Sequence, residues 1–371
     1  MLFTPWVIKF VLALKNLRNV TLVLFSAIAA ASAQTPAPDE TGPPTPTPPP
    51  EKSIVYAAHD ENAITDYNTD ARVVKRMVDR LVLAVTGQPD VGKAWGSLVA
   101  PNDKVGIKIS AAGGELFTTH HDIVVAIADG LVAAGHPRSS IVVWDRSING
   151  TKGAGYKKSD GFALKSIAPR TGYNLKETIS APLLGKLVWG DLEYEPEGGK
   201  SVPLSDTENT SNVSHFSNIL ANDVTKIVNV PVMSSTTANG IAGCLYNMTI
   251  PNLDNWRRFS MGTPFGAESI AMIYSNPMIS QKVVLNIMDG LVAQYGGGPE
   301  SQPNFAVHHD TIYASKDPVA IDSVALKRLE EWRKKGNFPP IGRMASYVQT
   351  ATAMGLGNSD MSHIEVKHVG Q

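Results

Sequence analysis

The sequence predicts an α/β fold in which a mostly parallel sheet carries helices on both faces. From residue 53 onward, short runs of apolar, β-branched residues alternate with longer amphipathic segments. One stretch follows the order strand, helix, glycine, strand, which is typical of a crossover between parallel strands. The 371 residues are 43% hydrophobic and 18% charged, so the chain has enough apolar side chains for a sizeable core.

Each element is predicted from its periodicity and from its start and stop signals. Apolar residues one turn apart predict a first helix over 70–86. Residues 119–122 resemble a capping box and Gly135 a stop signal, so a second helix is expected between them. Asp317 as N-cap and Pro318 at the first position predict a helix that ends near Lys335. A further helix is predicted at 267–274, and strands at 54–57, 104–109, 141–144, 226–230, 282–288 and 312–314.

Three other segments differ from this pattern. Residues 1–33 carry basic residues, an apolar run and a final Ala-Ser-Ala, which predicts a signal peptide cleaved near Ala33. An uncleaved N-terminal membrane anchor is the alternative. Residues 34–52 are rich in proline and are expected to form an extended linker. Residues 53–371 would then form a single α/β domain, with an irregular insertion at about 149–218, in a protein exported to the periplasm.

Composition excludes several classes of protein. The net charge of -1 argues against a nucleic-acid partner, and membrane contact is expected only through an uncleaved leader. Cys244 is the only cysteine, which excludes cysteine-ligated iron–sulfur clusters, Cys-rich zinc sites and intramolecular disulfides. The Gly-x-Ser-x-Gly, P-loop and Gly-x-Gly-x-x-Gly patterns are absent, which argues against serine hydrolases, P-loop enzymes and Rossmann dehydrogenases. A small-molecule ligand remains the expected partner.

Polar side chains follow several predicted strands, at the edge where open parallel sheets bind ligands. Lys108 and Asp145 end two strands, Asp289 follows a third, and Ser234 lies just beyond a fourth. Thr119 and His120 are expected at a helix N-terminus, where amide donors face outward. A histidine titrates near neutral pH and is therefore the candidate acid–base group. Asp322 lies one turn into a predicted helix and has no local role that explains it.

The sequence does not identify a cofactor. His308, His309 and Asp310 are candidate metal ligands, because imidazole and carboxylate together suit zinc or a harder divalent ion. Their spacing matches no known ligand pattern. A divalent metal is therefore a hypothesis that rests on residue type alone.

In their order along the chain, these segments resemble the family known as domain of unknown function 362, over about 104–328. The matching segments are 105–110, Thr119-His120, 143–145 with Ser147, 229–231, 243–247, Asp289-Gly290, Gly298-Pro299 and 315–322. The resemblance adds Asn247 to the candidate ligand-binding residues. It also shows departures: members often have Lys-Pro-Asn at 108–110, a lysine and a histidine near Ser234, and a lysine at Tyr246. Losing those cations weakens a phosphate or carboxylate clamp.

Three functions are compatible with the sequence. The leading hypothesis is an exported enzyme that acts on a small polar molecule. Its cleft would bring together Lys108, His120, Asp145, Asn247, Asp289 and Asp322. His120 would be the acid–base group, Lys108 the electrostatic anchor, and the carboxylates would orient the ligand or bind a metal. The alternatives are a non-catalytic solute- or metal-binding protein of the periplasm and an envelope protein that binds a partner.

Overall fold

The computed structural model describes residues 52–180, 187–188, 210–211, 213–256, 259 and 264–370. The predicted signal peptide at 1–33 and the linker at 34–52 lie outside these residues, apart from residue 52. Across the described helices, we find none with both the length and the apolar character needed to span a bilayer.

A mixed sheet of ten strands organises the described part of the chain. Its strands are β1 (Ser53–His59), β2 (Val105–Ile109), β3 (Val142–Asp145), β4 (Ala163–Ser166), β5 (Lys226–Val230), β6 (Val232–Thr236), β7 (Gly240–Ile241), β8 (Val283–Gln294), β9 (Ala306–Ser315) and β10 (Ile364–His368). The order is β10-β1-β9-β8-β5-β2-β3-β4, with β6 pairing β8 and β7 pairing β6. Along this path β9 runs antiparallel to both its neighbours, and the other pairs are parallel. The predicted mostly parallel sheet is confirmed.

Helices cover both faces of this sheet, as predicted. They are α1 (Ala71–Thr86), α2 (Val91–Leu98), α3 (His121–Ala133), α4 (Cys244–Thr249), α5 (Pro264–Ser275), α6 (Pro277–Ser280), α7 (Pro318–Lys335) and α8 (Tyr347–Ala353). Neighbouring strand residues point to opposite faces, so each strand contributes to two cores. Val143 packs in the cluster formed by α1, α2 and α3. Trp144 packs in the cluster formed by α4, α5, α7 and α8.

One helix start follows the predicted capping and another does not. Asp317 caps α7 by accepting hydrogen bonds from the amides of Val319 and Ala320, and Asp70 caps α1 in the same way. The capping box predicted for α3 is wrong, because its N-cap is His120 and no side chain caps it. Thr119 instead donates its hydroxyl to the carbonyl of Val230 at 2.8 Å.

Strands β8 and β9 are longer than the sequence predicted. The strand was predicted to end at Met288, before Asp289-Gly290, but the apolar run continues to Ala293 and β8 ends at Gln294. The added residues of β8 pair with residues of β9 that precede the predicted start of that strand. Val292, for example, lies opposite His308. Asp289 and the 308–310 segment therefore lie within strands rather than in loops.

The region predicted as an irregular insertion is partly regular. Residues 163–166 form β4, an edge strand of the main sheet beside β3. Beyond it, Tyr173–Ser180 pairs with Val213–Ser217 in a separate two-stranded sheet, and Leu187–Val188 pairs with Thr210–Ser211. Near β1, Ile64–Thr65 and Asn68–Thr69 form a short hairpin.

Candidate functional site

A row of buried polar side chains crosses the centre of the sheet. Lys108 on β2, Asn229 on β5, Asn286 on β8 and Ser315 on β9 lie side by side in the strand register. The amide of Asn229 donates to Asn286 Oδ1 at 2.9 Å and to the carbonyl of Cys244 in α4 at 3.0 Å. Polar groups in a dry core must be hydrogen-bonded, so this row fixes α4 to the sheet.

Lys108 is the charged end of this row and is fully buried. Its ammonium donates to Asp145 Oδ1 at 2.6 Å, to the carbonyl of Ile109 at 2.7 Å and to Asn247 Oδ1 at 3.1 Å. These three bonds use all three of its donors. Burial lowers the pKa of Lys108, and the adjacent carboxylate opposes that shift.

Asp145 carries the matching charge at the end of β3. Besides Lys108, its carboxylate accepts the amide of Arg146 on Oδ1 and that of Ala111 on Oδ2, both at 2.7 Å. A carboxylate offers about four acceptor positions, so these three bonds leave one on Oδ2. Asn247 is held as firmly, because its amide group donates to Asn229 Oδ1 at 2.8 Å.

A cleft opens above this pair, at the carboxyl ends of β2 and β3. It contains about 630 Å³ of empty space, part of which is open solvent. Its lining residues are Ser110, Ala112, Asp145, Arg146, Ser147, Tyr246, Asn247, Ile250, Pro251, Trp256, Pro299 and Glu300. Lys108 is not among them and acts from below, through Asp145 and Asn247. This position follows the rule for ligand sites in parallel sheets.

The walls of the cleft carry further polar groups. The guanidinium carbon of Arg146 lies 4.9 Å from the ring centroid of Trp256, within the range of a cation–π contact. Burial raises the pKa of Tyr246 above its ordinary value, helped by the charges of Glu300 and Asp145 and opposed by Arg146. The Tyr246 hydroxyl therefore keeps its proton at neutral pH and is a hydrogen-bond donor.

His120 and Asp289 form a second pair on the other face of the sheet. Asp289 shares its face of β8 with Ile287, two residues away, which packs in the cluster beneath α3. Oδ2 of Asp289 lies 2.7 Å from both the backbone nitrogen and Nδ1 of His120. Burial lowers the pKa of His120, but the charge and hydrogen bond of Asp289 outweigh it, so the net pKa is raised. A buried carboxylate on Nδ1 orients an imidazole for proton transfer.

The structure brings together only some of the residues predicted to share one cleft. Lys108, Asp145 and Asn247 come together, but His120 and Asp289 line no part of that cleft. The reason is the odd spacing between Asn286 and Asp289 in the extended β8, which sends their side chains to opposite faces.

Asp322 has a structural role beneath the cleft. Its carboxylate oxygens accept the amides of Cys244 at 2.5 Å and Leu245 at 3.0 Å, at the start of α4. A Cβ on Gly243 would overlap this carboxylate, so a glycine is required there. Asp322 therefore positions the helix that carries Asn247 and does not line the cleft.

Thr119 and Ser234 also lie outside the cleft lining. Thr119 is fully buried and, through its hydroxyl, accepts the amide of Ser110 at 2.9 Å, which braces the loop that leads to the cleft. Ser234 in β6 donates its hydroxyl to the carbonyl of Ser235 at 2.9 Å. Both side chains satisfy backbone groups.

The three candidate metal ligands do not converge. His308 packs against the ring of Tyr67, with centroids 4.7 Å apart. His309 Nε2 lies 2.7 Å from the hydroxyl of Tyr313, and burial lowers the pKa of this histidine to about 4. Asp310 has a positive φ of 51°. Among the residues whose placement is described, we find no group of three or more His, Cys, Asp or Glu side chains suited to a metal ion, so the metal hypothesis lacks a ligand set.

Among the charged and aromatic residues of the cleft lining, four were not candidate site residues in the sequence analysis, namely Arg146, Tyr246, Trp256 and Glu300. Arg146 and Glu300 each follow a segment that the resemblance had already marked, at the end of β3 and after Gly298-Pro299. Adjacency to those segments was the available signal. Trp256 has no such signal, because it reaches the cleft from the irregular chain after α4.

The family model for a domain of unknown function, DUF362, matches residues 104–327. This is more than half of the chain. The chain belongs to this family. The match runs from the start of β2 to the middle of α7, and so contains every described residue that lines the cleft.

No curated protein matches the chain. A crystal structure of a Thermotoga maritima protein is similar at 12% identity, with a TM-score of 0.38, and covers 74% of this chain. The chain spans 61% of the length of that protein.

Proposed function

We propose that this member of the family is an exported enzyme that acts on a small polar molecule in the cleft above Lys108. The observation that carries the proposal is the Lys108–Asp145 ion pair directly under an open cleft. A buried ion pair costs several kcal/mol of desolvation per charge, so it is weak evidence for a purely stabilising role. Charged groups held in place at the floor of a cleft are typical of catalytic sites.

Asp145 is the candidate catalytic residue of this cleft. The remaining acceptor position on its Oδ2 can take a hydrogen bond or a proton from a bound molecule. Lys108 is a positioning residue, because its donors are all used within the protein and it reaches the ligand only through Asp145 and Asn247. Electrostatically fixed groups of this kind contribute to catalysis without rearranging during the reaction.

A non-catalytic solute-binding protein is the second candidate. The hydrogen bonding of Lys108 favours this candidate. All three donors of its ammonium group are used within the protein, so none is left for proton transfer to a ligand. The two proposals share the cleft and differ only in turnover. A search for product after incubation with a confirmed ligand separates them.

The cleft is tested by a thermal-shift screen of the full chain against small polar metabolites. A ligand present at a hundredfold excess over its dissociation constant stabilises a protein by about 2.7 kcal/mol. We expect at least one compound to raise the melting temperature of the wild type by several degrees. Asp145→Asn should abolish that rise, because it removes the charge at the cleft floor.

Asp289→Asn is the matched control for this screen. It also removes a buried carboxylate at the sheet edge, but one that does not line the cleft, so the ligand-induced rise should persist. Loss of the rise in Asp289→Asn together with its persistence in Asp145→Asn would move the site to the His120 pair and overturn the proposal. A screen in which no compound stabilises the wild type would also overturn it.

Export is a separate part of the proposal and has its own test. The basic residues, apolar run and Ala-Ser-Ala of 1–33 support cleavage near Ala33. We expect the intact mass of the chain purified from an envelope fraction to correspond to a protein that begins at Gln34. Retention of residues 1–33 in a membrane fraction would instead support an uncleaved anchor, and recovery in the cytoplasm would contradict export.

A further inference from the structure

We propose that the edge strand β10 pairs with β10 of a second copy of this chain, in antiparallel register about a two-fold axis at Val366. The main sheets of the two copies then form one continuous sheet. β10 lies outside the cleft lining and outside the 104–327 family match, so this inference is independent of the proposed function. It rests on the position of the strand, the direction of its backbone groups and the order of its charges.

β10 is one of the two end strands on the path through the main sheet. Among the described strands it pairs only with β1, in a parallel register without a bulge. An end strand directs a row of backbone N–H and C=O groups away from the sheet, where another strand can pair with them. Proteins often protect such edges with prolines, bulges or charged side chains. β10 has neither a proline nor a bulge, so its charges decide whether a second copy can approach.

The hydrogen bonding to β1 shows which residues of β10 face the free edge. The amide of Val369, directly after the strand, donates to the carbonyl of Ala57 at 2.9 Å. Successive residues of a strand direct their backbone groups to alternate sides, so the residues two and four positions earlier also face β1. The N–H and C=O groups of Ile364, Val366 and His368 therefore face away from the sheet. In the described part of the chain, no strand pairs with this side of β10.

The charges of β10 are complementary to those of an antiparallel second copy. With the axis at Val366, this residue exchanges hydrogen bonds with Val366 of the second copy, and Ile364 does so with His368 of the second copy. Glu365 then lies opposite Lys367 of the second copy, and Lys367 lies opposite its Glu365. These are the non-hydrogen-bonded positions, where opposite side chains approach most closely. A lysine alone would repel a second copy, whereas Glu-x-Lys is self-complementary in this register.

Both charged side chains are available for these contacts. The side chains of Glu365 and Lys367 point to the same face of β10 and are 53% and 43% exposed. Within one chain, their nitrogen–oxygen distance is 3.6 Å, longer than the roughly 2.7–2.9 Å of a charge-assisted hydrogen bond. A second copy provides each of them with an opposite charge directly across the strand pair.

The other end strand, β4, lacks this pattern. Its one charged side chain, Lys165, already lies 2.7 Å from Asp223 Oδ2 of the same chain. The strand contains no acidic residue, so two copies of β4 would have no opposite charges to pair. Of the two end strands, β10 is therefore the one suited to a second copy.

Apolar side chains occupy the other face of β10. Ile364 and Val366 belong to the face that packs in the cluster around α7. Val366 also lines a groove, together with Tyr313, Val324, Lys327, Arg328, Met361 and His368. Met361 in this groove is 36% exposed. In the dimer, Val366 meets Val366 of the second copy on this face, so the contact combines apolar burial on one face with ion pairs on the other.

The mass of the full chain in solution tests the proposal. A contact made by one short strand is at the small end of protein interfaces, so we expect a homodimer with a dissociation constant of roughly 1–100 µM. Sedimentation equilibrium over a series of concentrations measures it. A wild type that remains monomeric at the top of this range would overturn the proposal.

Two charge reversals test the register. Glu365→Lys and Lys367→Glu should each weaken self-association at least tenfold, because each places like charges opposite one another. An equimolar mixture of the two variants should associate as the wild type does, since every lysine then lies opposite a glutamate. Lys93→Glu reverses an exposed charge on α2 and is the control, so it should leave the dimer unchanged. A mixture that stays monomeric would overturn the antiparallel pairing.

Val366→Pro tests the backbone contact. It removes the N–H at the centre of the strand pair, and that N–H faces the free edge, so no hydrogen bond to β1 is lost. Self-association should weaken at least tenfold. At a concentration at which the wild type is monomeric, the variant should keep the cooperative urea unfolding of the wild type, which separates loss of pairing from loss of the fold. Association that is unchanged in this variant and in both charge reversals would place the contact elsewhere and overturn the proposal.

Discussion

Replacing Lys108 by methionine should destabilise the fold by roughly 3–5 kcal/mol, the range seen when one member of a buried ion pair is removed. Methionine has a similar length but carries no charge. Asp145, which is only 5% exposed, would keep two backbone amides as donors and lose its counter-charge. Because native domains are stable by only about 5–15 kcal/mol, this loss is a large part of the total. Urea unfolding of the variant and the wild type at pH 7 measures it.

The partly exposed pair Lys75–Asp79 provides a matched control. Its nitrogen–oxygen distance is 2.7 Å, against 2.6 Å for Lys108–Asp145, but its lysine side chain is 42% exposed. Lys75→Met should therefore cost less than about 1 kcal/mol. An equal cost for the two variants would show that the burial of Lys108 has no energetic consequence, contrary to the argument above.

The double variant Lys108→Met/Asp145→Asn distinguishes the pair from its separate members. Removing both charges leaves no uncompensated ion in the core, so the double variant should be much more stable than the sum of the single losses predicts. Strict additivity would mean that the two groups do not interact. The same variants report on function, since any ligand that depends on the oriented Asp145 carboxylate should no longer bind to either single variant.

The parts of the fold that the sequence predicted are those with strong local signals. The cap of α7, the helix at 71–86 and the strand at 226–230 lie where the residue types and their spacing predicted them. The mostly parallel sheet followed from the strand–helix–strand order. The length of β8 could not be predicted, because Asp289-Gly290 is a turn signal that pairing with β9 overrides.

Because strand pairing depends on contacts distant in sequence, the candidate site could also be predicted only in part. Strand ends predicted that Lys108 and Asp145 lie close together, because parallel strands end at a common edge, and the family motif added Asn247; the three side chains are in contact. Which face a residue adopts depends on strand registers, and those depend on contacts distant in sequence. The sequence therefore brought His120 and Asp289 together with Lys108 on one cleft, although the sheet separates them. Asp322 was singled out for lacking a local role, and its role proved to be long-range, at the start of α4.

Asp322 should make the stability of the protein decrease as the pH rises. Burial raises the pKa of this carboxyl from 3.8 to about 7, against the opposing hydrogen bonds from Leu245 and Cys244. The folded state therefore holds its proton over a range in which the unfolded chain has lost it. The stabilisation is fully present below pH 3.8 and is lost as the pH rises toward about 7.

The experiment compares the free energy of unfolding of the wild type and of Asp322→Asn from pH 5 to pH 8. Asparagine has the same shape and does not titrate, so its altered hydrogen bonding adds only a constant offset. Over this interval the wild type should lose roughly 3 kcal/mol relative to the variant. The stabilisation that the His120–Asp289 pair provides is also lost as the pH rises above 6.5, but this happens in both proteins and cancels in the difference.

Asp360→Asn is the control. It removes an exposed carboxylate whose pKa is lowered by the amide of Ser362, so it should leave the wild-type slope in place. Parallel pH profiles for the wild type and Asp322→Asn would mean that Asp322 is ionised throughout, and that α4 begins on a permanently charged carboxylate.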